Sequence, residues 1–396
     1  MIVGASAGGL ATAEALRRQG YRGTVTLIGD EPHLPYDRPP LSKQFLSGEW
    51  QPERLRLRPP AEIDALDMDL RLGSAAIGVD REGRTVVLSD GRTLPYDALV
   101  VATGVRPRRL PGSTGVSGVH VLRTLENATA LKARLAPGRR LVVVGAGFIG
   151  AEAAATARGL GVDVTMIEPA PVPLAHAVGK AVGRALTRPH LDHDVDLRTG
   201  ATVSEILSHD GHVAGVGLAD GTVVPADDVV VGIGSHPNVE WLQGSGLRLD
   251  DGLVCDEFCQ AAPGVYGVGD VARWYNPLFE TTMRIEHRTN AAEQGLAVAR
   301  NLLNPTNPRP FAPVPYFWSD QYDMKIQAYG FLRGHDEAVI VDGDPGACRF
   351  IAAYRKGDRL TGALSVGMPP KALRSWRSAI AARQEWSTML SDADAA

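Results

Sequence analysis

The sequence predicts an α/β chain: two domains built on parallel sheets, followed by a small α+β domain. Three observations predict it. Residues 141–169, LVVVGAGFIGAEAAATARGLGVDVTMIEP, read as strand, glycine turn, helix, strand and then an acidic residue. The first residues, from Ile2, repeat that order. From about Phe311 the texture changes to prolines and then to short β-type runs separated by turns.

In the central stretch, residues 141–144 form a short apolar, β-branched run of the kind expected in a buried parallel strand. Gly145, Gly147 and Gly150 make a GxGxxG motif. In such a motif the first glycine allows a tight turn, the second leaves bare backbone for a pyrophosphate, and the third lets helix and strand pack closely. The helix that follows offers free N–H groups and the positive end of its dipole to phosphate. A second strand, 162–167, ends at Glu168, placed where a carboxylate accepts hydrogen bonds from a ribose 2′-hydroxyl. That carboxylate would repel a 2′-phosphate, and Pro169, Ala170 and Pro171 follow it with no Arg or Lys, so NADH is expected over NADPH.

At the N-terminus, Gly4, Ser6 and Gly9 form GxSxxG ahead of a helix expected over 10–18 and a strand over 24–28. The serine Cβ crowds a pyrophosphate slightly, but its hydroxyl can donate to it. Asp30 or Glu31 is the expected ribose ligand. Only three residues precede Gly4, fewer than the ~5 of a usual strand, so the beginning of the first strand is expected to be missing. One such unit binds one dinucleotide, and two units about 140 residues apart suggest a flavin and a nicotinamide cofactor that delivers hydride to it. The sequence thus predicts two Rossmann-like dinucleotide-binding domains, for FAD and NAD.

The elements between support this division. Residues 98–104, ALVVATG, read as a buried strand ending in the small turn Ala102-Thr103-Gly104, with Arg106 and Pro107 as an exit from the first domain. Residues 264–270, GVYGVGD, read as a strand, Gly269-Asp270 and a helix start, where Asp270 is either a polyol ligand or an N-cap. Hairpins are expected around Asp90-Gly91 and Asp220-Gly221, one in each unit. Residues 229–234, VVVGIG, read as a strand returning to the first domain. The expected domains are 1–108 with 232–310 for FAD, 109–231 for NAD and 311–396 at the C-terminus, the last with strands at 325–331, 338–341, 350–354 and 359–366 and a helix at 371–383.

Composition narrows the class. The chain has 396 residues, 44% apolar and 22% charged, ordinary values for a globular protein of two or three domains. Glycine stands at 44 residues, about 11% against a usual ~7%, as suits several backbone-to-cofactor contacts. The net charge of −4 points to neither nucleic acid nor an anionic membrane. There are three cysteines, too few for a disulfide framework. No secretory leader pattern and no apolar run of about 18 residues is present, so a cytoplasmic protein is expected.

The motifs GASAGG at Gly4, YDRPPLSK at Tyr36, VVATG at Val100, VVVGAGFIGAE at Val142, GVYGVGDVA at Gly264, RIEH at Arg284, NAAEQG at Asn290 and YFWSDQY at Tyr316 carry a resemblance across nearly the whole length. Together they make the chain similar to the FAD-dependent NADH:ferredoxin reductases of bacterial oxygenase systems; apoptosis-inducing factor is a more distant likeness. The resemblance implies non-covalent FAD, NADH, and a [2Fe–2S] ferredoxin partner that feeds a cytochrome P450 or Rieske oxygenase. It implies that Arg38 and Lys43 lie along the flavin, that Glu152 sits near the nicotinamide and pairs with Lys43, that Asp270 holds the ribityl chain and that Trp318 lies by the isoalloxazine. Lys43 and Glu152 are the catalytic pair it implies. Relatives often carry an aromatic after RIE-x; here His287 is followed by Arg288. Rival readings are a rubredoxin reductase and an FAD/NADH interaction protein like apoptosis-inducing factor.

Many two-dinucleotide flavoenzymes relay electrons through cysteines. Here residues 30–57 contain none, and Cys255 and Cys259 are spaced CxxxC rather than CxxC. Thiol–disulfide chemistry is not expected. His176, His190 and His193 lack a ligand spacing, so no metal site is expected. Arg54, Arg56 and Arg58, and Lys371, Arg374 and Arg377, are candidate docking cations for an acidic ferredoxin.

Overall fold

The computed structural model describes residues 1–389. By internal packing it divides into two units, the first holding residues 1–37, 53–106 and 236–315, the second 38–52, 107–235 and 316 onward.

The first unit is organised on a six-stranded sheet in the order Gln260–Ala262, Val265–Gly267, Leu99–Val101, Ile2–Val3, Thr26–Ile28 and Asp69–Arg71. Neighbours run parallel except for the first pair. Ile2–Val3 has Thr26–Ile28 on one side and Leu99–Val101 on the other. The strand order therefore reverses there, which is where open α/β sheets leave a crevice at the strand ends. The helix Ala7–Arg18 follows directly. It is rich in alanine, buries Leu10, Ala13 and Leu16, and ends in Arg17 and Arg18, favourable to the negative end of its dipole. A second helix, Arg288–Leu303, completes the layer; the sequence reading quoted its NAAEQG only as a motif. A three-stranded meander, Ala76–Asp80, Thr85–Leu88 and Thr93–Pro95, contains the expected hairpin. The expected helix start after Gly269-Asp270 is not formed. A single 3₁₀ turn, Gly269–Val271, passes into the strand Ala272–Asn276, whose Ala272, Trp274 and Asn276 are buried in alternation. That period of two is a strand signal, and Asp270 lies inside the turn rather than capping a helix.

The second unit holds a five-stranded, fully parallel sheet in the order Asp196–Thr199, Asp163–Glu168, Arg140–Val144, Asp228–Val231 and Val119–His120. The strand within residues 229–234 therefore does not return to the first domain. It pairs along Arg140–Val144, with Val229, Val230 and Val231 opposite Val142, Val143 and Val144. A run of fully buried valines fits either sheet of such a chain, and only the pairing decides between them. Leu141 and Val143 face a layer containing Ala153, Ala154 and Ala157. Val142 and Val144 face the opposite layer with Val213, Val216 and Val224 of the Val203–His209, His212–Leu218, Val223–Pro225 meander.

The C-terminal part of this unit is a five-stranded antiparallel sheet in the order Tyr316–Gln321, Met324–Gly330, Arg359–Val366, Arg349–Lys356 and Glu337–Asp344, followed by the helix Arg374–Ala381. Leu174, Val178, Val182 and Leu186, four residues apart, pack on its Ile326, Phe350, Tyr354 and Leu364. Their helix, Ala175–Ala185, breaks its regular backbone at Gly179, where φ is +79°.

Candidate functional site

In the second unit, Gly145 and Gly150 are glycines because nothing else fits. Gly145 has φ +99°, and a Cβ there would lie 2.5 Å from the Gly232 carbonyl oxygen; one on Gly150 would lie 2.1 Å from the Gly145 oxygen. Gly147 is different. Its φ of −75° suits any residue, and a Cβ there would meet nothing nearer than the Gly232 oxygen at 3.9 Å. The packing of the protein itself does not require glycine at this N-cap, which leaves bare, open backbone at the helix start. The helix Phe148–Gly159 begins there. Glu168 is buried and already engaged. One carboxylate oxygen accepts from the Ala146 N–H at 2.8 Å, the other from the Ala170 N–H at 2.9 Å. It therefore ties the glycine turn to the chain beyond the strand, a role that spacing alone did not reveal. Each oxygen keeps a further lone pair for a ribose hydroxyl.

Four residues along the same helix, Glu152 is 3% exposed. Lys43 Nζ donates to its Oε2 at 2.7 Å. Ser42 Oγ donates to the same oxygen at 2.5 Å, and Ser319 Oγ donates to Oε1 at 2.7 Å. Lys43 is brought here by Pro39–Ser42, a single 3₁₀ turn with prolines in its first positions, anchored by the buried Leu41 and by Thr156 Oγ donating to the Ser42 carbonyl at 2.8 Å. Lys132 lies over the ring of Phe45 at 4.7 Å and fastens the far end of the segment. Arg38, just before the turn, donates to the Arg123 carbonyl at 2.6 Å. Trp318 alternates with Ser319 along its strand and so projects from the other face of the sheet, where it stacks with Tyr316 at 6.1 Å between ring centres.

In the first unit, Gly4 has φ +124°, and a Cβ on it would lie 2.0 Å from the Ala102 carbonyl oxygen, so the turn at Ala102-Thr103-Gly104 packs directly against the first glycine turn. Asn238 holds that second turn: its Nδ2 donates to the Thr103 carbonyl at 2.9 Å, and Thr103 Oγ1 donates to the Asn238 carbonyl at 2.8 Å. Ser6 stands at the N-cap of Ala7–Arg18 and makes no side-chain capping bond. Gly9 sits over the Gly4 carbonyl. Asp30 is exposed, whereas Glu31 accepts from the Tyr36 hydroxyl. The Gly269 N–H donates to Oε1 of the fully buried Gln294 at 2.8 Å, which fixes the turn that carries Asp270. Arg288 Nε donates to Asp37 Oδ1 at 2.5 Å.

A family profile for pyridine nucleotide-disulphide oxidoreductases matches residues 1–295, and one for the reductase C-terminal region matches 316–395. The chain belongs to this family, in its ferredoxin reductase branch. Putidaredoxin reductase from Pseudomonas putida is 38% identical over 376 residues, covering 93% of this chain and 88% of that protein. The ferredoxin–NAD(+) reductase component of an anthranilate 1,2-dioxygenase system from Burkholderia cepacia is 40% identical over 371 residues, covering 93% and 90%. A chain in the crystal structure of the covalent putidaredoxin reductase–putidaredoxin complex matches with a TM-score of 0.92 at 35% identity, covering 100% of this chain and 97% of that one.

In this chain Cys255 and Cys259 are buried and Cys348 is half-buried. All three are free. Burial pushes the Cys259 thiol up to about 12, and burial likewise pushes Cys255 well up, so neither offers the thiolate that disulfide exchange needs. His190 binds its Nδ1 to the Tyr322 hydroxyl at 2.9 Å, and His193 stacks on the same ring. Among the described residues no helix is long and apolar enough to cross a membrane.

The residues that sequence reasoning missed are Ser42, Ser319, Gln294 and Asn238. Ser42, Ser319 and Gln294 lie inside motifs already quoted, RPPLSK, FWSDQ and NAAEQG. Asn238 carried no signal, because its bond to Thr103 spans 135 positions.

Proposed function

We propose that this protein is a flavoprotein reductase that takes hydride from NADH onto non-covalent FAD and passes single electrons to a [2Fe–2S] ferredoxin serving a cytochrome P450 or Rieske oxygenase. The observation that carries this reading is the presence of two strand–glycine turn–helix units in two separate sheets, each at the point where the strand order reverses. One dinucleotide per unit is what such a chain can hold.

FAD, when bound, converts two-electron into one-electron chemistry. The residues fit both cofactors. The open backbone at Gly147 and the uncommitted N-cap hydroxyl of Ser6 are features that the protein itself leaves unused. In this reading Gly4, Ser6 and Gly9, with Asp30 or Glu31, hold the flavin dinucleotide, and Asp270 serves its polyol. Gly145, Gly147, Gly150 and Glu168 hold NADH. The buried Lys43–Glu152 pair supplies a fixed cation where negative charge develops on hydride transfer, an electrostatic contribution that needs no reorganisation at the moment of reaction. Residues 1–108 with 232–310, 109–231 and 311–396 are the proposed FAD, NAD and C-terminal domains. A cytoplasmic location belongs to the same reading, in keeping with three free cysteines.

The test is an anaerobic stopped-flow mix of the purified flavoprotein with NADH and then with a [2Fe–2S] ferredoxin. Flavin absorbance bleaches and then recovers as the ferredoxin is reduced. Bleaching without recovery overturns the acceptor, and purification without flavin overturns the assignment of the first unit.

A further inference from the structure

The helix Phe148–Gly159 presents a stripe at every fourth position, Phe148, Glu152 and Thr156, and two other segments of the same unit cover it. Phe317 packs edge-on to Phe148 at 4.9 Å between ring centres. Ser319, two residues along the strand and therefore on the same face, reaches Glu152. Two strand residues rise about 6.7 Å and four helical residues about 6 Å, so strand and helix stay in step. From the other side Ser42 and Lys43 reach the same carboxylate, and Thr156 holds the Ser42 carbonyl.

The reason for three donors is electrostatic. An ion pair this deeply buried, with side-chain exposures of 10% for Lys43 and 4% for Glu152, repays its desolvation only when further hydrogen bonds satisfy the remaining lone pairs. An ionised carboxylate is acceptor-only, so a hydroxyl beside it must donate. Ser42 and Lys43 share Oε2, and Ser319 is the donor on Oε1. Gln321 Nε2 in turn donates to Ser319 Oγ at 3.2 Å, which leaves that hydroxyl's own proton for Glu152. Lys43 Nζ makes one close contact, to Glu152, with Ser42 Oγ next at 3.4 Å. The direction in which its ammonium points is thus set by the carboxylate, and the carboxylate is set by the serines.

We propose that Ser319, together with Ser42, is a positioning residue for hydride transfer: the C-terminal sheet reaches into the nucleotide-binding part of this unit and fixes the carboxylate that aims Lys43. The inference rests on the role proposed above for the Lys43–Glu152 pair. It gives the C-terminal sheet a part in the step that uses NADH, beyond any part it has in meeting an acceptor.

The test compares Ser319→Thr with Ser319→Val in the flavin-loaded protein. The two are nearly isosteric, both suit a strand, and they differ in the hydroxyl. Limiting rates of flavin reduction and the apparent Kd for NADH are read by anaerobic stopped flow, beside Glu152→Gln and Lys43→Ala. Ser319→Val is expected to lower the limiting rate roughly tenfold, the scale of one hydrogen bond to a charged group, with the Kd within about twofold and Ser319→Thr close to the parent. If Ser319→Val and Ser319→Thr reduce at the same rate while Glu152→Gln is slow, the positioning role is wrong and the pair stands. A change confined to the Kd for NADH also overturns it, because the serine then serves binding. If Glu152→Gln and Lys43→Ala both reduce at the parental rate, the pair has no part in hydride transfer and both proposals fall.

Discussion

At the residue scale, Glu168 joins two jobs that sequence patterns treat as one. In the function proposed above, its spacing after Gly145 makes it the ribose ligand. Its two oxygens are also the acceptors for the Ala146 and Ala170 N–H groups, so the carboxylate shapes the turn it serves. Glu168→Gln replaces one of those acceptors with an NH₂ group facing an N–H donor. The KM for NADH is expected to rise about tenfold or more, the scale of a lost charge-assisted hydrogen bond. Removing the charge does not create a site for a 2′-phosphate, since Pro169, Ala170 and Pro171 supply no cation. Steady-state kinetics with both cofactors checks this. Parental use of NADPH equal to that of NADH contradicts the role of the carboxylate, and a gain of NADPH activity in the variant contradicts the account of its neighbours.

At the scale of elements, both glycine turns, their helices, both hairpins and four of the five strands of the C-terminal sheet could be read from the sequence, because each is announced by local chemistry: glycine spacing, period-two alternation, Asp-Gly turns. The fifth strand, Tyr316–Gln321, was legible only as a motif. What could not be read is pairing. The Asp228–Val231 strand is four buried residues long, and nothing local says which sheet it joins. Its first residue shows what does decide. Asp228 is 2% exposed and accepts from His120 Nε2 at 3.1 Å, Arg134 Nε at 2.9 Å and an Arg139 guanidinium nitrogen at 2.6 Å. These donors come from the neighbouring strand Val119–His120 and from positions 134 and 139, ahead of Arg140–Val144. Burial alone would raise the Asp228 carboxyl, but these bonds outweigh it and hold the group below its ordinary range. Ser319 was illegible for the same reason, since its partner lies 167 positions away. Asp228→Ala removes the shared acceptor of this cluster, whose arginines are themselves 44% and 33% exposed, and is expected to cost about 1.5–3 kcal/mol, the scale of a hydrogen bond to a charged group. Denaturant unfolding measures it; a loss below about 1 kcal/mol, the value of an exposed pair, would remove Asp228 as the staple of this strand.

At the scale of the whole molecule, pH and ionic strength act on different charges, and each makes its own prediction. The buried His190 titrates at about 4 in place of 6.5, through burial first and the charge of His193 second. Above pH 6.5 the group is neutral in both folded and unfolded chains, and its contribution to stability is complete. As pH falls from 6.5 toward 4, the unfolded chain takes up the proton first, so stability drops by about 1.4 kcal/mol per unit, or about 3 kcal/mol in all. His190→Asn should flatten the unfolding midpoint across that window; an unchanged slope assigns the acid sensitivity to other groups. Ionic strength acts on docking. The chain carries a net charge of −4, so its overall field repels an acidic ferredoxin, and attraction has to come from a local cluster. Lys371, Arg374 and Arg377 are exposed along the C-terminal turn and helix, with Arg377 lying over the ring of Tyr329 at 5.7 Å. Screening shortens the reach of such a cluster from about 10 Å at 0.1 M salt to about 3 Å at 1 M. The kcat/KM for ferredoxin is therefore expected to fall steeply with salt. Changing the three residues together to Gln should lower it by about tenfold or more in low salt, within the range that steering supplies, and the two proteins should converge in high salt. Flavin reduction by NADH, which needs no protein partner, should be the same in both. A ferredoxin reduction rate that does not respond to salt in the parent protein would rule out steering by this cluster.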